Sequence, residues 1–193
     1  MFSIIQAAGW PIWPLLALSV VALALILERL SSLRRSRVVP PTLLGDVMTL
    51  TRQGLPTPDV VNQFAEASLL GRVLASGIRA CGADPRLSES ALRQILEVSG
   101  REAVHQLERY LNALGTIATA APLMGLFGTV VGMIEIFGAQ APTGVAANPQ
   151  QLAHGISVAL YNTAFGLLIA IPSLMFYRYF RGLTESYRLA LEL

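Results

Sequence analysis

The sequence predicts an all-α membrane protein with three transmembrane helices. Residues 1–27, 110–134 and 136–177 contain no Asp, Glu, Lys or Arg. The chain of 193 residues is 53% hydrophobic and only 13% charged, a composition typical of membrane proteins. A helix needs about 20 mostly apolar residues to cross the hydrocarbon core. The three charge-free regions therefore accommodate three spans, the last two joined by a short loop.

The arginines predict the orientation of these spans. The first apolar run, 12–27, is followed by a basic flank that contains Arg29, Arg34, Arg35 and Arg37. The positive-inside rule keeps this flank in the cytoplasm and places the uncharged N-terminus outside, in the periplasm. Trp10 and Trp13 then lie where an outer aromatic belt is expected. All 14 basic residues are arginines, and this topology makes every one of them cytoplasmic.

The same topology divides the chain into six segments. They are an outer N-terminus with the first span (1–28), a cytoplasmic helical segment (29–109), the second span (110–137), a periplasmic loop (138–151), the third span (152–178) and a cytoplasmic tail (179–193). The C-terminus is then cytoplasmic. The pI near 9.0 does not indicate nucleic-acid binding, because the arginines are not clustered on one polar module with interleaved aromatic residues.

The second and third spans are predicted to extend into the cytoplasm. Prolines break residues 38–83 into short helices, and Asp84-Pro85 is a favourable start for a longer one. The apolar spacing shows no break before Pro122, which predicts one helix over 84–137, about 80 Å long. Helical spacing also continues from the third span into the tail.

Small residues dominate one face of each of these two helices. The second span has a stripe of Ala118, Ala121, Gly125, Thr129, Gly132 and Ile136, and the third has Ile156, Ala159, Thr163, Gly166 and Ala170. Small residues allow helices to approach closely in lipid. Two interpretations remain open. The small residues either serve helix packing alone, or they form a pore wall against which a guest helix, meaning a helix from another subunit, moves. In the second case Thr129 and Thr163 are the polar residues of the wall.

The remaining polar residues in the spans predict no catalytic chemistry. Asn162 lies in the middle of the third span, where polar groups are costly and often functional. Glu135 and His154 lie near the outer ends, and each either contacts the interface or contributes to the electrostatics of an outer mouth. His154 has no companion ligand, and Cys81 is the single cysteine, so we expect no metal, no cofactor and no enzyme activity.

Two long segments, APLMGLFGTVVGMIEIF (121–137) and GISVALYNTAFGLLIAIPSLMFYRYF (155–180), resemble the MotA/TolQ/ExbB proton channel family, specifically its three-span ExbB/TolQ branch. The resemblance implies an inner-membrane homopentamer whose second and third helices line a pore around the helices of two ExbD/TolR-like subunits. Proton flow would drive this assembly, and a TonB-like protein would pass the motion to outer-membrane transporters. The implied pore lining comprises Thr129, Thr163, Asn162, Gly125, Gly132, Ala159 and Gly166.

One position departs from the family pattern. Family members carry a glutamate in a GIAEAL-like segment of the third helix, whereas this chain has GISVAL, with Val158 at that position. A proton-carrying carboxylate would then be an aspartate of the partner helix. Two alternatives stay open: a TolQ-like subunit that serves envelope integrity and division, and a non-conducting membrane scaffold.

Overall fold

The computed structural model describes residues 9–54, 56–140 and 149–192, and within these ranges the chain is helical and contains no strand. The prediction of an all-α protein is confirmed. The helices are α1 (Ile12–Ser32), α2 (Arg35–Val38), α3 (Leu43–Gln53), α4 (Pro58–Ala67), α5 (Leu69–Ala83), α6 (Glu89–Glu108), α7 (Leu111–Gln140) and α8 (Pro149–Glu192). The centre of the predicted periplasmic loop, residues 141–148, lies outside the described residues.

The chain forms two compact units. The first, here called the apolar unit, comprises Met1–Leu27 and Tyr110–Arg178. The second, the polar unit, comprises Glu28–Arg109 and Tyr179–Leu193. Every charged residue of the sequence except Glu135 and Arg178 belongs to the polar unit.

Three helical stretches of the described chain, Ile12–Ser32, Glu89–Gly138 and Leu152–Leu191, are long and apolar enough to cross a membrane. Their number agrees with the sequence prediction. The third stretch belongs to α8, which runs for 44 residues without interruption. This confirms that helical structure continues beyond the apolar part of the third span.

The helix predicted for 84–137 begins later than expected. Asp84 ends α5, and its Oδ1 accepts a hydrogen bond from the Arg86 amide at 2.9 Å. Ser88 is the N-cap of α6 instead, since its hydroxyl oxygen accepts from the Ala91 amide at 3.2 Å. The predicted start at Asp84-Pro85 is therefore wrong: both Asp and Ser can cap, and Asp84 is used in a turn.

This helix is also interrupted, contrary to prediction. Helix α6 ends at Glu108, α7 starts at Leu111, and Tyr110 between them has a φ of 66°. Pro122 lies within α7, so the predicted helix does continue through this proline. The sequence around the interruption, from Gln106 to Ala113, contains neither glycine nor proline, so no local helix breaker predicts it.

In the polar unit, α4, α5 and α6 pack in sequence. Ser68 ends α4 and caps α5, where its hydroxyl accepts from the Gly71 amide at 3.0 Å. Helix α5 meets α6 at Gly77, where an added Cβ would lie 2.9 Å from the Leu96 side chain. Glycine at this position lets the two helix backbones approach closely.

Distant parts of the polar unit are joined by two buried hydrogen bonds. Arg29 Nη1 donates to the Leu107 carbonyl at 3.0 Å, and the Tyr187 hydroxyl donates to the Leu33 carbonyl at 2.8 Å. Burial raises the pKa of Tyr187, the positive charge of Arg35 partly offsets this, and Tyr179 adds to the increase. The two bonds fix the end of α8 and the end of α6 to the segment that follows the first span.

Candidate functional site: the α7–α8 pair

Within the apolar unit, the small faces of α7 and α8 pack against each other. The contacts follow an antiparallel register that covers most of α7 and about half of α8. They pair Gly115 with Tyr177, Ala121 with Gly166, Gly125 with Asn162 and Thr163, Gly132 with Ala159, and Ile136 with Gly155. The predicted stripes of small residues therefore form contact surfaces, and within this chain the stripe of α7 packs against the stripe of α8.

The closest contacts bring backbone against backbone. A Cβ added to Gly125 would lie 2.7 Å from the Asn162 carbonyl oxygen, and one added to Gly166 would lie 2.6 Å from the Ala121 carbonyl oxygen. No side-chain rotation can relieve a contact with a carbonyl group. Glycine is thus required at both positions by the distance between the helices, which is the role small residues have in membrane helix packing.

Asn162 is a fully buried polar side chain of this pair, with 1% of its surface exposed. A Cβ on Gly128 would lie 2.8 Å from the Asn162 Cβ and 3.0 Å from its Nδ2. The missing side chain of Gly128 therefore makes room for the Asn162 amide. The sequence placed Asn162 in the middle of the span but gave no sign that Gly128 faces it.

Thr129 and Thr163, the polar points predicted for a pore wall, are half-buried on this pair. The Thr163 Cα would lie 3.0 Å from a Cβ on Gly125, so it borders the backbone contact. Thr129 lies one helical turn beyond Gly125, and its hydroxyl donates to the Leu126 carbonyl at 2.6 Å. Because this bond stays within α7, the hydroxyl oxygen keeps lone pairs available to accept from another molecule.

Thr129 also borders an open, mostly apolar groove along the C-terminal half of α7, together with Val130, Met133, Ile134, Phe137 and Gly138. Several of these side chains are largely exposed, including Ile134 at 66%. A helix face of this composition suits lipid or an apolar helix.

The two residues considered for an outer mouth, Glu135 and His154, are both exposed. The described residues contain no group of three His, Cys, Asp or Glu side chains that could hold a metal ion. Val158, at the position where the family pattern has a glutamate, is half-buried next to the buried Ala159.

Of the seven predicted pore-lining residues, six lie in or directly against the contact between α7 and α8, since Thr163 borders it through its Cα. The other five are Asn162, Gly125, Gly132, Ala159 and Gly166. The predicted pore lining left out Gly128 and Gly155, which belong to the same contact. The signal for Gly128 was its GxxxG spacing to Gly132; Gly155 lies one turn before Ala159 on the same stripe.

These features define a multi-pass helical membrane protein whose last two spans form a pair packed through glycine, without a described metal site. A sequence profile of the MotA/TolQ/ExbB proton channel family matches residues 65–192. The chain belongs to this family, and it is a membrane subunit of the ExbB type. The family is one of proton channels and not of enzymes.

Individual relatives agree with this assignment. The chain is 32% identical to biopolymer transport protein exbB1 of Vibrio cholerae over 87% of its own length and 73% of the relative's. It is 32% identical to the putative biopolymer transport protein ExbB-like 3 of Synechocystis, over 92% of this chain and 83% of that protein. The Tol-Pal system protein TolQ of Pseudomonas aeruginosa is also 32% identical, over 72% of this chain and 61% of that protein.

Proposed function

We propose that this chain is the ExbB-like subunit of a proton-motive-force-driven motor in the bacterial inner membrane. It assembles as a homopentamer around the transmembrane helices of two ExbD/TolR-like partner subunits, with its N-terminus in the periplasm and its C-terminus in the cytoplasm. A TonB-like protein then passes the motion to outer-membrane transporters. Family membership and the similarity to biopolymer transport proteins support this function.

The observation that carries the proposal is the position of two threonines on the α7–α8 pair. Glycine contacts hold the pair together, and Thr129 and Thr163 remain half-buried at its surface. In the assembly these hydroxyls face the central pore and give polar contacts to the partner helix. Gly125, Gly132, Ala159, Asn162 and Gly166 maintain the wall in which the two threonines lie.

The proton-carrying carboxylate belongs to the partner, because Val158 cannot titrate. The spans of this chain contain one carboxylate, Glu135, which is exposed. Placing a carboxylate in the membrane without a polar partner costs roughly several kcal/mol of free energy. An aspartate on the partner helix therefore needs hydroxyl groups close to it. Thr129 and Thr163 supply them, while Glu135 and His154 influence the charge at the outer mouth.

Stoichiometry is the first test. The chain is co-expressed with its ExbD-like partner, purified in mild detergent and weighed by native mass spectrometry. Five copies with two partner chains are expected. A stable assembly that never retains a partner contradicts the motor and supports a non-conducting scaffold, in which the small faces serve only packing.

Proton flux then tests the pathway. The complex is reconstituted in liposomes, and a membrane potential is imposed while a pH-sensitive dye reports proton entry. We expect Thr129→Ala combined with Thr163→Ala to reduce the flux at least about tenfold with the complex intact, since the loss of hydrogen bonds to a charged group has an effect of this size. Thr119→Ala is the matched control, because Thr119 is exposed on α7 and its hydroxyl also bonds within its own helix. Equal flux in all variants contradicts the proposed pathway.

A TolQ-like role in envelope integrity and division is the second candidate, favoured by the similarity to TolQ of Pseudomonas aeruginosa. Expression in a host that lacks its own ExbB and TolQ separates the two. Restored TonB-dependent uptake supports the ExbB role, and restored detergent resistance and cell separation support the TolQ role.

A further inference from the structure

A cavity of about 380 Å³ lies between α5 and α6, entirely within the polar unit. Its floor is apolar and is formed by the buried side chains of Leu69, Val73 and Ala103. Ligand pockets typically have volumes of roughly 300–1,000 Å³ and combine apolar walls with a few polar groups. The cavity therefore has room for a small ligand, and the polar groups around it indicate which kind.

The rim of this cavity carries more positive than negative charge. Arg72 on α5 and Arg109 at the end of α6 both line it, whereas Glu102 is the carboxylate among its described lining residues. The His105 imidazole lies on the same rim. Leu69 and Arg72 also belong to the first turn of α5, where the helix amides carry partial positive charge. This distribution of charge favours an anionic ligand.

A hydrogen bond across the cavity positions Arg72 and leaves its charge intact. The Arg72 Nη1 donates to Gln106 Oε1 at 2.9 Å, which links α5 to α6. The acceptor is a neutral amide, although the carboxylate of Glu102 lines the same cavity. A guanidinium group has five N–H donors, so most of those on the exposed Arg72 side chain can still bind a ligand. The NH2 group of Gln106 adds two further donors.

A phosphate group fits these donors better than a carboxylate does. One guanidinium group satisfies both oxygens of a carboxylate, whereas a phosphate monoester has a third terminal oxygen and a second charge. Two arginines and the neutral donors of Gln106 and Ser99 match that larger anion. We propose that this cavity, here called the α5–α6 site, binds a phosphate ester. Arg72 contacts the phosphate, and the apolar floor holds the organic part.

This inference goes beyond the proposed function. It concerns the polar unit alone and holds whether or not the assembly conducts protons. The phosphate ester is either a soluble molecule or the head group of an anionic lipid, since both present the same chemistry to Arg72. Because the ligand contacts α5 and α6 together, its binding stabilises the packing of these two helices.

Two probes distinguish the two sources of phosphate. In the first arm the full chain, in nanodiscs of phosphatidylcholine, is titrated with phenyl phosphate by isothermal titration calorimetry. In the second arm the chain in neutral detergent is titrated with short-chain phosphatidylglycerol, and bound lipid is measured by native mass spectrometry. Binding of phenyl phosphate that depends on Arg72 supports a soluble ester, and such binding of phosphatidylglycerol alone supports a lipid head group. Absence of both overturns the proposal.

Three substitutions assign the binding to the cavity. Arg72→Gln should weaken it at least about tenfold, since hydrogen bonds between charged groups have an effect of this size. Glu102→Gln removes a like charge and should tighten binding about twofold or more. Arg79→Gln is the matched control and should leave binding unchanged. Arg79 is exposed on α5 and donates to Asn62 Oδ1 at 2.7 Å, but it does not line the cavity.

The opposite signs expected for Arg72→Gln and Glu102→Gln separate a binding role from a structural one. A loss of structure weakens binding, so it cannot produce the tighter binding expected for Glu102→Gln. Glu102 is exposed, and its substitution therefore decides the question if Arg72→Gln does not fold. Equal weakening by Arg72→Gln and Arg79→Gln, or failure of Glu102→Gln to tighten binding, overturns the α5–α6 site.

Discussion

The amide of Asn162 occupies the space that the missing side chain of Gly128 leaves on the facing helix. A Cβ on Gly128 would approach three side-chain atoms of Asn162, at 2.8, 2.9 and 3.0 Å. A polar residue in the middle of a membrane span is thus accommodated by one particular glycine. The functional chemistry proposed for this region depends on a close fit between two helices of the same chain.

The contacts of Gly128 predict a coupled effect on stability. Gly128→Ala should destabilise the α7–α8 pair by about 1–3 kcal/mol through overpacking. In an Asn162→Gly background, which removes all three contacting atoms, the same substitution should cost at least about 0.5 kcal/mol less. A double-mutant cycle in bicelles, with unfolding in SDS followed by circular dichroism, measures the coupling. Additive effects of the two substitutions would contradict the contact.

The backbone contacts predict a second set of stability changes. Gly125→Ala and Gly166→Ala each place a methyl group against a carbonyl oxygen, so each should cost about 1–3 kcal/mol. Gly138→Ala is the matched control, because an added Cβ there meets nothing within 4 Å. It should change the free energy of unfolding by no more than about 0.5 kcal/mol. The same SDS titration compares the three variants. Equal losses of stability would show that α7 and α8 lie further apart than the contacts of Gly125 and Gly166 indicate.

The sequence was sufficient for the spans and for the small faces, but not for what the faces contact. Charge-free regions and helical spacing are properties of single segments, and the predictions drawn from them agree with the structure. Whether Gly125 faces a neighbouring helix of its own chain or an empty pore depends on a contact with Asn162, 37 positions away in the sequence. The break at Tyr110 is likewise not predicted by its neighbours, because residues 106–113 contain neither glycine nor proline. Local patterns carry no information about such long-range contacts.

Ser68 predicts a measurable contribution of helix capping in the polar unit. It is 5% exposed and joins two helices, so Ser68→Ala should lower stability by about 1–2 kcal/mol. Ser88 also caps a helix but is exposed, where water replaces the lost hydrogen bond. Ser88→Ala should therefore cost less, about 0.5 kcal/mol. Thermal unfolding in mild detergent ranks the two, and the reverse order would show that the α4–α5 junction is more open than described.

Tyr187 predicts a hydrogen-bond contribution at the end of α8. Tyr187→Phe removes the donor to the buried Leu33 carbonyl and leaves the ring in place. The expected loss is about 1 kcal/mol. Tyr179→Phe is the control, since Tyr179 is 60% exposed. Thermal unfolding of the two variants should differ, and a neutral Tyr187→Phe would mean that water satisfies Leu33.

The pKa of Tyr187 predicts a change in alkaline stability. Burial raises this pKa above its usual value of about 10, so the folded state favours the neutral phenol. The resulting stabilisation is complete below pH of about 10 and is lost as the pH rises through the folded-state pKa. Absorbance at about 295 nm, compared between the unmodified chain and Tyr187→Phe, isolates its ionisation. Ionisation at or below the pH of an exposed tyrosine would contradict the assigned cause.

The glycine contacts of α7 and α8 also restrict how the assembly can move. A slide of one helix past the other by a single residue would bring a Cβ toward the carbonyl groups that now face Gly125 and Gly166. The two helices therefore move together as one rigid unit, because their glycine contacts fix the register between them. In the proposed pentamer, rotation or opening would then take place between neighbouring α7–α8 pairs or between a pair and the partner helix, and the surfaces that slide would be the outer faces of α7 and α8.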